Sequence, residues 1–179
     1  MNTHLYIEKF FLKNGMETDT EHYPFNIPVI RNFRKLEFHK PVTFIIGENG
    51  TGKSTLLEAF AVAYGFNPEG GSRNFNFSTL QNRLGGNGVY MFDEPEAALS
   101  PMRLLALLVR MDELVKANSQ FIISTHSPIV MMYPDADIYE IEDGKLQLAK
   151  LENTRHFVIT KYCIQNRDKI LAELGVTTN

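Results

Sequence analysis

Residues 42–55 read VTFIIGENGTGKST, and this stretch decides the fold. Val42 to Ile46 is a short apolar run between Pro41 and Gly47, the pattern of a strand buried on both faces of a parallel sheet. Gly47 to Ser54 matches G-x-x-x-x-G-K-[ST]. Glycines at these positions let the backbone turn so that several N–H groups point into one concavity. A helix pattern runs from Lys53 to about Ala63, and its N-terminus adds a partial positive charge. Strand, loop and helix together predict a phosphate cradle. Asn49, Gly50, Thr51, Gly52, Lys53, Ser54 and Thr55 are its expected nucleotide-binding residues. Lys53 is expected to reach the β- and γ-phosphates, and the Ser54 hydroxyl to be a ligand of Mg²⁺.

Two further strand ends carry polar chemistry. Val89-Tyr90-Met91-Phe92 is apolar and ends in Asp93-Glu94. Beside a phosphate loop, Asp93 is the expected Mg²⁺ partner and Glu94 the residue that orients or deprotonates the attacking water. Neighbouring strand residues point to opposite faces, so both acids reach one site only if the chain turns there, and Pro95 is placed to promote that turn. The run QFIIS, residues 120–124, leads into Thr125-His126-Ser127-Pro128. A histidine at the carboxyl end of a parallel strand sits where open α/β sheets bind ligands, which marks His126 as a donor to the γ-phosphate. His4, His22, His39 and His156 read as structural.

Around these motifs the pattern alternates strands and helices, the mark of an α/β protein with a largely parallel sheet flanked by helices. Residues 5–12 are rich in β-formers and predict a first strand; Lys13 to Glu21 reads as a hairpin or loop. Residues 65–88 carry Gly, Asn, Pro and Ser in close succession and read as loop. After Pro101, Leu104, Leu108, Met111 and Val115 trace an amphipathic helix. Asp143-Gly144 between two β-rich runs predicts a hairpin. Thr160 to about Leu174 reads as a closing helix ending at Gly175.

Composition narrows the class. The 179 residues are 44% hydrophobic and 22% charged, enough for one domain with a full core. The formal net charge of -3 gives no global attraction to nucleic acid or an anionic membrane. The single cysteine, Cys163, excludes an internal disulfide and reads as a buried thiol. No run approaches the roughly 20 apolar residues of a membrane span, and the N-terminus lacks a signal-peptide pattern, so the expected location is cytoplasmic.

With three motifs in order, GENGTGKST, VYMFDEPEAALSP and IISTHSP, the chain resembles the ABC-type heads of the "AAA family ATPase" group, kin to SMC-like repair ATPases. The resemblance covers nearly all of the chain, read as one ATP-binding domain over residues 1–179, with an N-terminal antiparallel β portion. It implies ATP and Mg²⁺ as ligands, Asp93 for the metal, Glu94 as catalytic base, Ala97 to Ser100 as the D-loop and His126 as γ-phosphate sensor. The segment IRNFRKLEF resembles the family's early strand near the nucleotide, with Arg34 as the candidate contact. It also implies a head-to-head homodimer or a partner protein. One departure stands out. Such heads carry a helical lobe and a signature motif between the first two motifs, whereas here only residues 56–92 separate Thr55 from Asp93. The join falls near residues 77–80, and Gln81 lies on the wrong side of it to serve as the Q-loop glutamine.

Two functions follow from the same pocket. One is Mg²⁺-dependent ATP hydrolysis; the other is an ATP-binding interaction module with little turnover, favoured by the shortened interval. A GTPase is disfavoured because no Asn-Lys-x-Asp-type guanine reader is present. Nucleic-acid binding has kinship alone behind it, since no basic stripe with interleaved aromatics is visible.

Overall fold

The computed structural model describes residues 5–12, 21–66 and 84–176. Strand β1 (Lys9–Phe11) is followed by helix α1 (Pro28–Asn32), strand β2 (Lys35–Glu37), strand β3 (Val42–Gly47) and helix α2 (Lys53–Tyr64). Next come β4 (Val89–Asp93), a 3₁₀ turn at Pro95–Ala98, helix α3 (Pro101–Lys116), β5 (Gln120–Ser124) and the short α4 (Pro128–Met131). The hairpin β6 (Asp137–Glu142) and β7 (Lys145–Ala149), a 3₁₀ turn at Leu151–Asn153, and helices α5 (Arg155–Gln165) and α6 (Arg167–Glu173) complete the order.

The main sheet has the order β4-β5-β3-β6-β7. Pairings β4–β5, β5–β3 and β3–β6 are parallel, and β6–β7 is antiparallel. The fold is α/β, with β1 and β2 forming a separate antiparallel pair. The central position of β3 explains its composition: all six residues are buried, and so are all five of β5. Alternation along both strands builds two cores. Val42, Phe44, Ile46, Phe121 and Ile123 pack with α3 through Leu104, Leu107 and Met111. Ile45 and Ile122 pack on the other face with Leu56, Leu57 and Phe60 of α2.

Several expectations shift. The first strand is three residues long, not eight: Glu8 O still accepts from Phe38 N at 2.9 Å, but Ile7 is tied to the buried Gln120 amide, whose Oε1 accepts from Ile7 N at 2.8 Å and whose Nε2 donates to Ile7 O at 2.9 Å. Of the early strand expected over residues 30–38, only Lys35–Glu37 forms one, β2; residues 30–32 end helix α1 and Arg34 lies between the two. Strand β4, though apolar like β3 and β5, is half-buried, since it lies at the edge of the described sheet. On α3 the fully buried stripe is Leu104, Leu107, Met111 and Leu114, with Leu108 and Val115 packed at its flank. The closing helix starts earlier and breaks at Asn166 into α5 and α6. Neither has a buried residue, so Cys163 is exposed, contrary to the buried thiol expected. The hairpin at Asp143-Gly144 forms as read, with both residues at positive φ (49° and 69°), the turn geometry that such a pair adopts at little cost. Residues 13–20, the join near 77–80 and Gln81 lie outside the described residues. Among the described residues no helix is long and apolar enough to cross a membrane.

Candidate functional site

The register of the sheet brings the three motifs to one edge. Ser124 pairs with Ile45 of β3 on one side and with Asp93 of β4 on the other, so β5, leading to His126, is flanked by the phosphate-loop strand and the acidic strand. Beyond the strands, Glu94 N donates to Ser124 O at 2.9 Å and Thr125 N donates to Ile45 O at 3.2 Å.

The loop after β3 turns through Gly50 and Gly52, at φ +80° and +95°, a region that glycine enters without strain. Gly52 caps α2 directly. A β-carbon there would lie 2.6 Å from Ile27 Cγ2 and 2.8 Å from Val29 Cγ1. Gly52→Ala is therefore expected to cost about 2 kcal/mol, from positive φ plus overpacking; an unchanged midpoint of thermal unfolding would contradict this.

Lys53 opens α2 and is only 4% exposed. Its ammonium donates to the carbonyls of Gly47 (3.0 Å) and Glu48 (3.1 Å). Burial pushes its pKa down, opposed by the carboxylates of Glu94, Asp93, Glu48 and Glu96. The Ser54 hydroxyl donates to Asp93 Oδ1 at 3.2 Å, which joins α2 to the end of β4. A hydroxyl and a carboxylate at one point suit a hard divalent cation such as Mg²⁺, which commonly takes one or two carboxylates and completes its shell with phosphate and water. An open cleft of about 270 Å³ is lined by Asn49, Gly50, Gly52, Lys53, Ser54, Thr55 and Glu94, with Ile27 from the segment before α1.

The turn that brings both acids to one side lies at Glu94 itself, which adopts the left-handed conformation (φ 45°, ψ 57°), and Pro95 then opens the 3₁₀ turn. A non-glycine residue there carries strain of order 1 kcal/mol or more, and such strain clusters at functional sites. Glu94 Oε1 lies 2.8 Å from His126 Nε2. His126 Nδ1 lies 3.1 Å from His156 Nε2.

The sequence reading passed over three of these residues. Ile27 walls the cleft and packs on Gly52; nothing local in the sequence marks it. Glu96 Oε1 accepts from Thr125 Oγ1 (2.8 Å), His126 N (2.6 Å) and Ser127 N (3.1 Å), and so pins the loop that carries His126. Its position two residues after Glu94 was the available signal. Glu96→Ala is expected to destabilise the chain by about 2 kcal/mol, since hydrogen bonds to a charged group are worth more than neutral ones and His126 N loses its partner, while Ser127 N keeps Thr125 Oγ1 at 3.0 Å. Thermal unfolding reads this, and an unchanged midpoint counts against it. His156, read as structural, touches His126 across a gap of 30 residues that no local pattern reveals. Arg34 is not among the cleft-lining residues; its guanidinium donates to the carbonyls of Arg31 and Phe33.

A family model described as "AAA domain" matches residues 25–97. A second, described as "AAA domain, putative AbiEii toxin, Type IV TA system", matches residues 68–132. No curated protein matches the chain. Among solved structures, the chain is similar to an SMC head bound to the C-terminal winged-helix domain of ScpA (24% identity, TM-score 0.32), over 41% of this chain and 22% of that one. It spans less than a quarter of that head. It is also similar to CbiO1 of Clostridium perfringens, part of the CbiONQ ABC transporter complex (18% identity, TM-score 0.46, 79% of this chain and 91% of that one). A third similarity is to the ADP form of an ATP-binding cassette of an ABC transporter (16% identity, TM-score 0.45, 80% and 91%). Likeness at this level extends neither to site residues nor to activity. Both family models that match are AAA-type domains, and their two stretches of the chain are consistent with a P-loop ATPase head.

Proposed function

We propose that the chain binds ATP with Mg²⁺ through residues 49–55 and hydrolyses the bond between the β- and γ-phosphates, as a single domain over residues 1–179. The observation that carries this reading is Glu94. Its left-handed turn puts a carboxylate in the same cleft as Lys53 and Ser54, within hydrogen-bond distance of His126.

The phosphates lie on this reading against the backbone N–H groups at the start of α2, where the helix dipole favours anions. The Lys53 ammonium exchanges its carbonyl partners for phosphate oxygens. Ser54 and Asp93 would hold the metal, which would supply positive charge against the phosphate oxygens. Glu94 orients water in line with the γ-phosphorus and takes its proton; the new bond is from water oxygen to phosphorus, and ADP leaves with the bridging oxygen. His126 donates to the γ-phosphate. ATP as substrate fits a cytoplasmic setting.

A second reading rests on the short interval between Thr55 and Asp93. ABC-type heads close each other's ATP sites with a signature motif, so a chain without one binds ATP and passes that state to a partner with little turnover. Steady-state phosphate release, with Mg²⁺ and with a chelator, separates the two. Hydrolysis that needs the metal and rises in specific activity with protein concentration supports an ATPase acting as two heads. Silence at all concentrations while ATP still binds supports the binding module.

A further inference from the structure

Helix α5 has no buried residue, yet its first turn delivers a side chain to the site. Thr154, fully buried, caps the preceding 3₁₀ turn through its hydroxyl to Leu151 O (2.8 Å), and Arg155 N donates to Glu140 Oε1 on β6 (3.3 Å). These contacts fix where α5 begins. His156 follows, with its ring centroid 5.1 Å from that of His126 at an interplanar angle of 48°. No apolar packing requires a histidine there.

The hydrogen bonds form a line: Glu94 Oε1, His126 Nε2, His126 Nδ1, His156 Nε2. Each imidazole nitrogen either donates or accepts, so the direction of the line has to be assigned from its ends. At one end an ionised carboxylate only accepts, which puts a proton on His126 Nε2. At the other end His156 Nδ1 is buried with no hydrogen-bond partner among the described residues. A proton there would bury an unpaired N–H, whereas a proton on Nε2 has an acceptor 3.1 Å away. Burial, and then the neighbouring His126, push the His156 pKa below its ordinary value, against the carboxylates of Glu48 and Glu140, with Lys53 adding to the lowering. A neutral His156 has one N–H to give.

We propose that His156 is a positioning residue that fixes the tautomer of His126: its Nε2–H donates to His126 Nδ1, so that His126 keeps its own N–H on Nε2, directed at Glu94, which lines the cleft. Glu94 alone secures that tautomer only while its carboxylate accepts from His126. When Glu94 turns to water, His156 is the group that still holds the proton on Nε2, where the γ-phosphate needs a donor. The functional consequence rests on the role given to His126 above; the tautomer does not.

The test uses the full chain with ¹⁵N-labelled histidine and long-range imidazole spectra, with His126 assigned by His126→Asn. In Glu94→Ala, His126 is expected to stay Nε2–H, because His156 still donates. In Glu94→Ala with His156→Leu, its nitrogen shifts are expected to average between tautomers; His156→Gln, whose amide N–H stands near the Nε2 position, restores the single tautomer. Averaged shifts in Glu94→Ala alone, or an unchanged Nε2–H form in the Leu double variant, overturn the proposal. Thermal unfolding checks that His156→Leu is folded, as expected for a site on a helix without buried residues. In phosphate release, His156→Leu alone is expected to lower kcat about tenfold at unchanged KM, with recovery in His156→Gln. A proposal that survives the spectra while the parent chain releases no phosphate leaves His156 in place and removes hydrolysis from the functional reading.

Discussion

Lys53→Ala is expected to lower the affinity for ATP–Mg²⁺ at least a hundredfold. The ammonium is buried at the mouth of α2, between the carbonyls of Gly47 and Glu48, and the carboxylates of Glu94, Asp93, Glu48 and Glu96 all act on it. In the proposed complex it makes charge-assisted bonds to phosphate, each worth about 1.5–3 kcal/mol, and two of them account for a factor of a hundred or more. Its removal also leaves those four acids uncompensated beside a polyanion, which weakens binding further. Titration calorimetry with a non-hydrolysable ATP analogue and Mg²⁺ reads the effect, with thermal unfolding as the check on folding. Near-normal affinity in the variant would remove the phosphate-site assignment and with it the whole functional reading.

Glu94→Gln separates binding from chemistry. Glutamine keeps the size of the side chain, and its carbonyl oxygen can accept from His126 as the carboxylate does, so the cleft keeps its shape. What it loses is the ability to take a proton. General-base catalysis contributes about 10²–10⁴-fold, and turnover is expected to fall by that range while ATP affinity changes by less than about threefold. Phosphate release and calorimetry on the same preparations measure the two quantities. Undiminished hydrolysis in the variant rules out Glu94 as the base, whatever the parent rate. A loss of binding with a loss of turnover assigns Glu94 to nucleotide affinity instead.

The weight placed on Glu94 and His126 depends on distances that no spacing in the chain announces. Glu94 lies beside Lys53 and Ser54 because β4 and α2 meet across the sheet edge, and beside His126 because β5 runs parallel to β4 in register at Asp93 and Ser124. The pinning of His126 by Glu96 from one side and by His156 from another belongs to the same convergence.

Local chemistry was enough for the phosphate loop. A glycine at φ +95° before Lys53, a buried strand ahead of it and a helix behind it are all properties of consecutive residues, and so is the Asp143-Gly144 turn. The α/β class was legible for the same reason, since fully buried strands such as β3 and β5 read as unbroken apolar runs. Elements whose limits depend on a partner were not. Residues 5–7 have strand composition but Ile7 pairs with the Gln120 side chain, Arg34 follows a helix rather than sitting within a strand, and β4 is half-buried because of its place in the sheet order. Ile27 and His156 entered the site only through the tertiary structure, as did the contacts that Glu96 makes there. The sequence by itself determined a buried strand, a glycine turn and a helix in succession and the order of the polar strand ends, because both are written in neighbouring residues. The tertiary structure alone decided which side chains surround them, because parallel strands meet through long crossovers and bring together groups far apart in the chain.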